Sequence, residues 1–285
     1  MRCVSFIHNG IGSYGVLQHG QVFEATAAFR AEWPDLKSVL VADKLNELPG
    51  HLALKALDAG GLEYEPVIPG PDKILCVGVN YRPHVEEMGR EVPGHPVVFV
   101  RFASSMVGHR SLLRRPGVST QYDYEGELAI VIGRRARYVK RENARDYVAG
   151  YSPFFDGSVR DWQRHTTQFT AGKNFPASGA LGPALVTPDE VSDVAALTLS
   201  TRINGEVMQQ GRLSELIFDV PSLIEYCSTF TILEPGDVIA TGTPGGVGAA
   251  RRPPRWLKAG DEVEVDLGPV GCLRNTVADE GCEKG

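Results

Sequence analysis

The sequence predicts an α+β protein, mainly β, on three observations. Short apolar or alternating runs of strand length recur along the 285 residues, stretches with a helical period are few, and the regular strand–helix alternation of a doubly wound sheet is missing. Composition agrees. Hydrophobic residues make up 42% and charged residues 22%, with 32 Gly and 19 Pro scattered along the chain, which belongs to a globular protein and excludes disorder, collagen and coiled coil.

Taken in order, residues 3–7, 14–17 and 21–24 read as strands and residues 35–42 and 45–59 as helices, a small α+β unit. The segment Glu65-Pro-Val-Ile-Pro-Gly-Pro71 resists both helix and central strand, so it marks a linker between a domain at 1–70 and a larger one at 71–285. The larger part opens with a buried strand at 73–79, a polar helical stretch at 83–90 and a strand at 97–102. Residues 125–133 alternate and then turn wholly apolar, 144–149 look helical and 150–155 extended. Further strands fall at 197–203, 237–240, 262–267 and 271–275, with one amphipathic helix at 220–230.

Several function classes drop out at once. The longest apolar runs, 97–100 and 128–132, are far shorter than the roughly 18 residues a membrane span needs, and the N-terminus carries no export pattern, so a cytoplasmic protein without membrane contact is expected. With 35 acidic against 29 basic residues the net charge is −6, which gives no general attraction to nucleic acid. The basic runs at 134–137 and 251–255 read as solvated surface. Cys3, Cys76, Cys227, Cys272 and Cys282 are widely spaced with no CxxC, so they suggest neither a zinc cage nor a disulfide framework; Cys76 and Cys227 are expected in the core.

Chemistry concentrates in a few places. In Tyr124-Glu125-Gly126-Glu127 the two glutamates stand two apart and would share one face of a strand. Burying both beside the apolar run that follows is tolerable only if a cation or a retained proton neutralises them; otherwise the pair is a solvated edge. Asp156, at the end of the extended segment 150–155, either caps a helical turn or adds a third carboxylate to the first two, a donor set suited to one hard divalent ion. In Pro83-His-Val-Glu-Glu87, His84 and Glu87 lie three apart, either a surface pair or a histidine oriented as a general base. Arg160, Gln163 and Lys173 follow; the two cations could hold an anionic substrate beside the metal, or be solvated. The run Thr241-Gly-Thr-Pro-Gly-Gly-Val-Gly248 permits close backbone approach to a ligand but matches neither the dinucleotide fingerprint nor the P-loop, and turn chemistry explains most of it.

Together GVNYRPHVEEM at 78–88, DYEGELAIVIG at 123–133, GYSPFFDGSVRDWQ at 150–163, GKNF at 172–175, LGP at 181–183 and LEPGDVIATGTPGGVG at 233–248 resemble the fumarylacetoacetate hydrolase family, over roughly residues 72–277. The resemblance implies a mixed β-roll catalytic domain, a homodimer, and Mg²⁺ or Mn²⁺ held by Glu125, Glu127 and Asp156. It implies water activation by His84 and Glu87, as in members that hydrolyse acylpyruvates. Arg160, Gln163 and Lys173 match substrate-engaging positions, and Thr243 matches a threonine near the substrate carboxylate. One departure is Pro176, where the family frequently has Asp. The expected reaction is hydrolysis of a C–C bond in a 2,4-dioxo acid, a small anionic keto acid, giving pyruvate and a carboxylic acid. Lys173 would offset the charge that develops on oxygen. Oxaloacetate decarboxylation and isomerisation of 2-hydroxymuconate type are alternatives on the same site, and a non-catalytic metal-dependent keto-acid binder is one of another class.

Overall fold

Two adjacent antiparallel strands, Gly126–Ile132 and Val148–Phe155, are buried at every residue and organise everything else. The computed structural model of the chain describes residues 1–82, 85 and 91–281. A strand enclosed on both faces must be apolar almost throughout. The run from Leu128 meets this: Leu128, Ile130 and Ile132 enter one core, while Ala129 and Val131 enter a second on the opposite face. Each fully buried Val, Leu or Ile is worth about 1.5–3 kcal/mol, so this pair supplies a large share of the driving force.

The main sheet runs in the order Leu52–Asp58, Gln21–Ala25, Ile11–Gln18, Arg2–His8, Leu185–Val186, Val148–Phe155, Gly126–Ile132, Val238–Ala240, Ile74–Gly78, Val97–Arg101. Along this path only Val238–Ala240 and Ile74–Gly78 pair in parallel. A second sheet, in the order Glu206–Arg212, Thr198–Ile203, Glu262–Asp266, Cys272–Asp279, Leu112–Arg115, lays Leu199, Val263, Val265 and Leu273 into the core that holds Leu128 and Ile130. The other face is covered by Phe29, Leu36, Val39 and Leu40, from the helices Ala27–Glu32 and Leu36–Val41.

The N-terminal strands therefore join the same sheet, Arg2 and Cys3 facing Val186 and Leu185. Their helices cover Ala129 and Val131, so the boundary expected near residue 70 interrupts neither the sheet nor the core. The helix expected at 45–59 is a correction. A 3₁₀ turn, Leu45–His51, contains Pro49 and Gly50, and the chain then runs extended as Leu52–Asp58 along Gln21–Ala25. Proline and glycine break the helical period there, and pairing with a free sheet edge wins over local spacing. Residues 144–149 are corrected likewise, a 3₁₀ turn Arg141–Tyr147 giving way to strand at Val148. The helix at 220–230 forms as Val220–Phe230, its N-terminus capped by Asp219, whose side chain accepts from the Ser222 amide at 3.0 Å. Cys76 and Cys227 are buried free thiols. Strand Glu206–Arg212 was not anticipated. The helical stretch at 83–90, with His84 and Glu87, lies outside the described residues apart from Val85.

The chain passes very tightly just beyond the central pair. A Cβ at Gly157 would stand 2.0 Å from the Ser178 carbonyl oxygen and 2.6 Å from the Tyr122 hydroxyl. Gly157→Ala is expected to destabilise the protein by about 1–3 kcal/mol through overpacking. An unchanged melting temperature would show that this close approach is not a constraint.

Candidate active site and metal centre

The site grows out of strand register. Gly126 faces Phe155 and Glu127 faces Phe154, and the same antiparallel frame continued by one residue sets Glu125 against Asp156, whose amide donates to the Glu125 carbonyl at 2.8 Å. Directly opposed residues share a face, as do residues two apart on one strand. Glu125, Glu127 and Asp156 therefore converge: one carboxylate oxygen from each lies within 4.8 Å of the others, and all three residues are buried. Asp156 does not cap a helix; the short helix Arg160–Gln163 begins after Val159 with no side-chain cap.

The three acids are not left bare. Lys173, itself only 1% exposed, bridges Glu125 Oε2 and Asp156 Oδ2 with both contacts at 2.6 Å. Arg160 donates from Nη2 to Glu125 Oε1 at 2.5 Å, from Nε to Asp123 Oδ2 at 2.7 Å and from Nη1 to Gln163 Oε1 at 2.9 Å. Arg101, fully enclosed, donates to Asp156 Oδ1 at 2.6 Å, to the Gly157 carbonyl at 2.9 Å and to Ser178 Oγ at 2.7 Å. Among the described residues Glu127 makes no ion pair; its Oε2 accepts only the Gly242 amide, at 2.8 Å.

The electrostatics follow that asymmetry. Burial alone would raise the Glu125 carboxyl, but Arg160 and Lys173 outweigh it and bring the group down to about 2. Burial, then Asp156 and Glu125, push Glu127 well above the usual glutamate range. Burial would lower the Lys173 ammonium, yet Asp156 and Glu125 raise it, so it stays protonated.

The glycine-rich run does more than turn. Gly242, at φ +100°, aims its amide at Glu127; a Cβ there would press 2.8 Å from the Val77 carbonyl oxygen. Gly248 and Ala249 amides bind Asp123 at 2.7 and 3.0 Å. Glu125 and Glu127 open into a cavity of about 500 Å³ whose walls include Arg160, Gln163, Lys173, Thr243, Phe99 and Phe169. All the expected site residues inside the described chain are thus in one place, and three contributors escaped the sequence reading: Arg101, Asp123 and Gln209. An arginine closing the apolar run 97–100 and an aspartate two before Glu125 were visible signals; Gln209, in an unanticipated strand, offered none.

The donor set fits a hard divalent cation. It consists of carboxylate oxygens only, and Glu127 lacks a positive partner that an ion would supply. The family model for the fumarylacetoacetate (FAA) hydrolase C-terminal domain matches residues 73–278, most of the chain. The chain belongs to the fumarylacetoacetate hydrolase family. Within this family it is similar to the mitochondrial oxaloacetate tautomerase FAHD2A of Bos taurus, 45% identical over 209 residues, which is 73% of this chain and 67% of that protein. It is also 38% identical over 265 residues to the oxaloacetate tautomerase YisK of Bacillus subtilis, covering 92% of this chain and 84% of that one. Among solved structures, maleylpyruvate hydrolase from Sphingobium sp. SYK-6 in complex with manganese(II) ion and pyruvate superposes with TM-score 0.81 at 28% identity, covering 98% of this chain and 99% of the other. The fold and the enzyme family are those of the fumarylacetoacetate hydrolases, and Glu125, Glu127 and Asp156 are a candidate site for a divalent metal.

A pH dependence follows. Without an ion, the folded chain retains a proton on Glu127 that the unfolded chain releases at ordinary glutamate pKa. Stability of the metal-free protein therefore falls as pH rises above that range, and a divalent cation removes the loss. Glu125 acts in the opposite sense, but only far below neutrality. Melts between about pH 5 and 8 with EDTA should slope downward, and Mg²⁺ or Glu127→Gln should flatten them. A flat EDTA profile for the unaltered chain would refute the assignment.

Proposed function

We propose that this chain enolises a 2-oxo acid carrying a second carboxylate, as a divalent-metal-dependent keto–enol tautomerase of the oxaloacetate type. The observation that carries the reading is Lys173, buried, protonated and bridging two of the three candidate metal ligands at the cavity wall. Glu125, Glu127 and Asp156 would hold the ion, which when bound supplies Lewis acidity at the 2-oxo group. Enolisation breaks a C3–H bond and forms an O–H bond: solvent water takes the C3 proton and returns one to the 2-oxo oxygen, and the chain's own residues stabilise the charge in between. A raised ammonium cannot serve as a base at neutral pH, so Lys173 acts as a fixed positive charge facing the oxygen on which negative charge develops. Arg160 and Arg101 hold Glu125 and Asp156 in place, so the carboxylates need not reorganise when charge moves. Phe99, Phe169 and Val77 line the cavity with apolar surface that strengthens these interactions. The names of the bovine and Bacillus relatives support oxaloacetate as the substrate.

Hydrolysis of a 2,4-dioxo acid remains the second reading, favoured by the His84 and Glu87 spacing and by the structural likeness to a maleylpyruvate hydrolase. It needs the same positive charge plus a base for water. The test follows the enol absorbance of oxaloacetate with Mg²⁺, with Mn²⁺ and with EDTA, beside pyruvate release from acylpyruvates. Tautomerisation should require the metal, and Lys173→Met should slow it about 10²–10³-fold. Acylpyruvate cleavage outpacing tautomerisation would replace this reading by the second, and activity undiminished in EDTA would overturn both.

A further inference from the structure

The second sheet reaches the site through one side chain. Gln209, 1% exposed in strand Glu206–Arg212, accepts the Gly126 amide on Oε1 at 3.1 Å and donates from Nε2 to the Pro244 carbonyl at 2.9 Å and to Thr243 Oγ1 at 2.8 Å. These partners settle which end of the amide is which. Gly126 N–H can only donate and the Pro244 carbonyl can only accept, so nitrogen and oxygen cannot be exchanged. Both Nε2 hydrogens are then committed, and the Thr243 oxygen must accept one of them. Among the described residues no acceptor faces the Thr243 hydroxyl hydrogen, and Thr243 lines the cavity wall.

We propose that Gln209 is a positioning residue: by occupying the Thr243 oxygen it turns the hydroxyl proton into the cavity, making Thr243 a dedicated donor to an anionic oxygen of the substrate. Resting on the proposed function, this names how that site recognises the acid group. A hydroxyl is ordinarily ambivalent, able to accept from water or donate to an anion. Locking its acceptor side makes it discriminate in favour of carboxylate. The same amide holds Gly126 between Glu125 and Glu127, so substrate donor and metal ligands share one rigid support.

The prediction is a coupled effect on affinity. Thr243→Val should raise KM for oxaloacetate about tenfold, as expected for a lost hydrogen bond to a charged group. Gln209→Met should raise KM at least as much, and because it also releases Gly126 it should lower kcat; the double variant should be no worse than Gln209→Met alone. Gln209→Glu keeps an acceptor for Gly126 but removes both N–H donors. It should also raise KM, which covers the case in which the methionine variant does not fold. Calorimetric titration of pyruvate in the presence of Mg²⁺ repeats the cycle without turnover. If the unaltered protein does not act on oxaloacetate, the tautomerase reading fails while the pyruvate titration still decides this one. Independent effects that multiply to about a hundredfold, or a Gln209→Glu variant with unchanged KM and pyruvate affinity, would overturn it.

Discussion

A charge left uncompensated inside the protein is what the structure is arranged around. Asp123, Glu125, Glu127 and Asp156 are buried together with Arg101, Arg160 and Lys173, and each acid but Glu127 meets at least one of these cations at 2.7 Å or less. Burying an unpaired carboxylate costs far more than any single contact returns. The unfilled partner of Glu127 therefore makes the site incomplete by itself, and a proton or a hard cation completes it. The deep cations do not compete with that ion for Glu127; they hold the other two carboxylates in place.

The architecture keeps the cluster dry and stiff. Residues Leu128 to Ile132 are wholly apolar and the partner strand Val148–Phe155 is buried throughout, so Glu125 and Glu127 at the start of one and Asp156 just past the end of the other sit where the sheet's two cores begin. Loops bring the remaining groups to the ends of these strands. The Gly242 amide reaches Glu127 only because its φ is +100°, and the Gly248 and Ala249 amides reach Asp123 from the same run. The second sheet contributes Gln209, which ties Gly126 to Thr243 across the cluster. Glycine, amide and guanidinium thus serve one purpose, which is to aim fixed dipoles at a small volume before any ligand arrives.

What was legible in the sequence is local. Strand-length runs, the helix at 220–230 and the same-face spacing of Glu125 and Glu127 all depend on neighbours a few residues apart, and the structure contains them. The ordered motifs from 78 to 248 identified the family. The helix read at 45–59 failed because its spacing ignored a sheet edge far along the chain, and the glycine run looked like simple turn chemistry because its acceptors, Glu127 and Asp123, lie more than a hundred residues away.

By itself, then, the sequence determined the apolar run of the central strand, which residues carry the carboxylates, and that two of them share a face, because pleat period and side-chain polarity are properties of the segment. Only the tertiary structure decided that Asp156 stands across from Glu125, that Arg101 and Lys173 neutralise what those acids carry, and that Gln209 commits both its N–H groups at the cavity wall. The physical reason is register. A shift of one residue between the central strands would send Asp156 to the opposite face, and that alignment is set by packing on both sides of the sheet rather than by anything written in either strand alone.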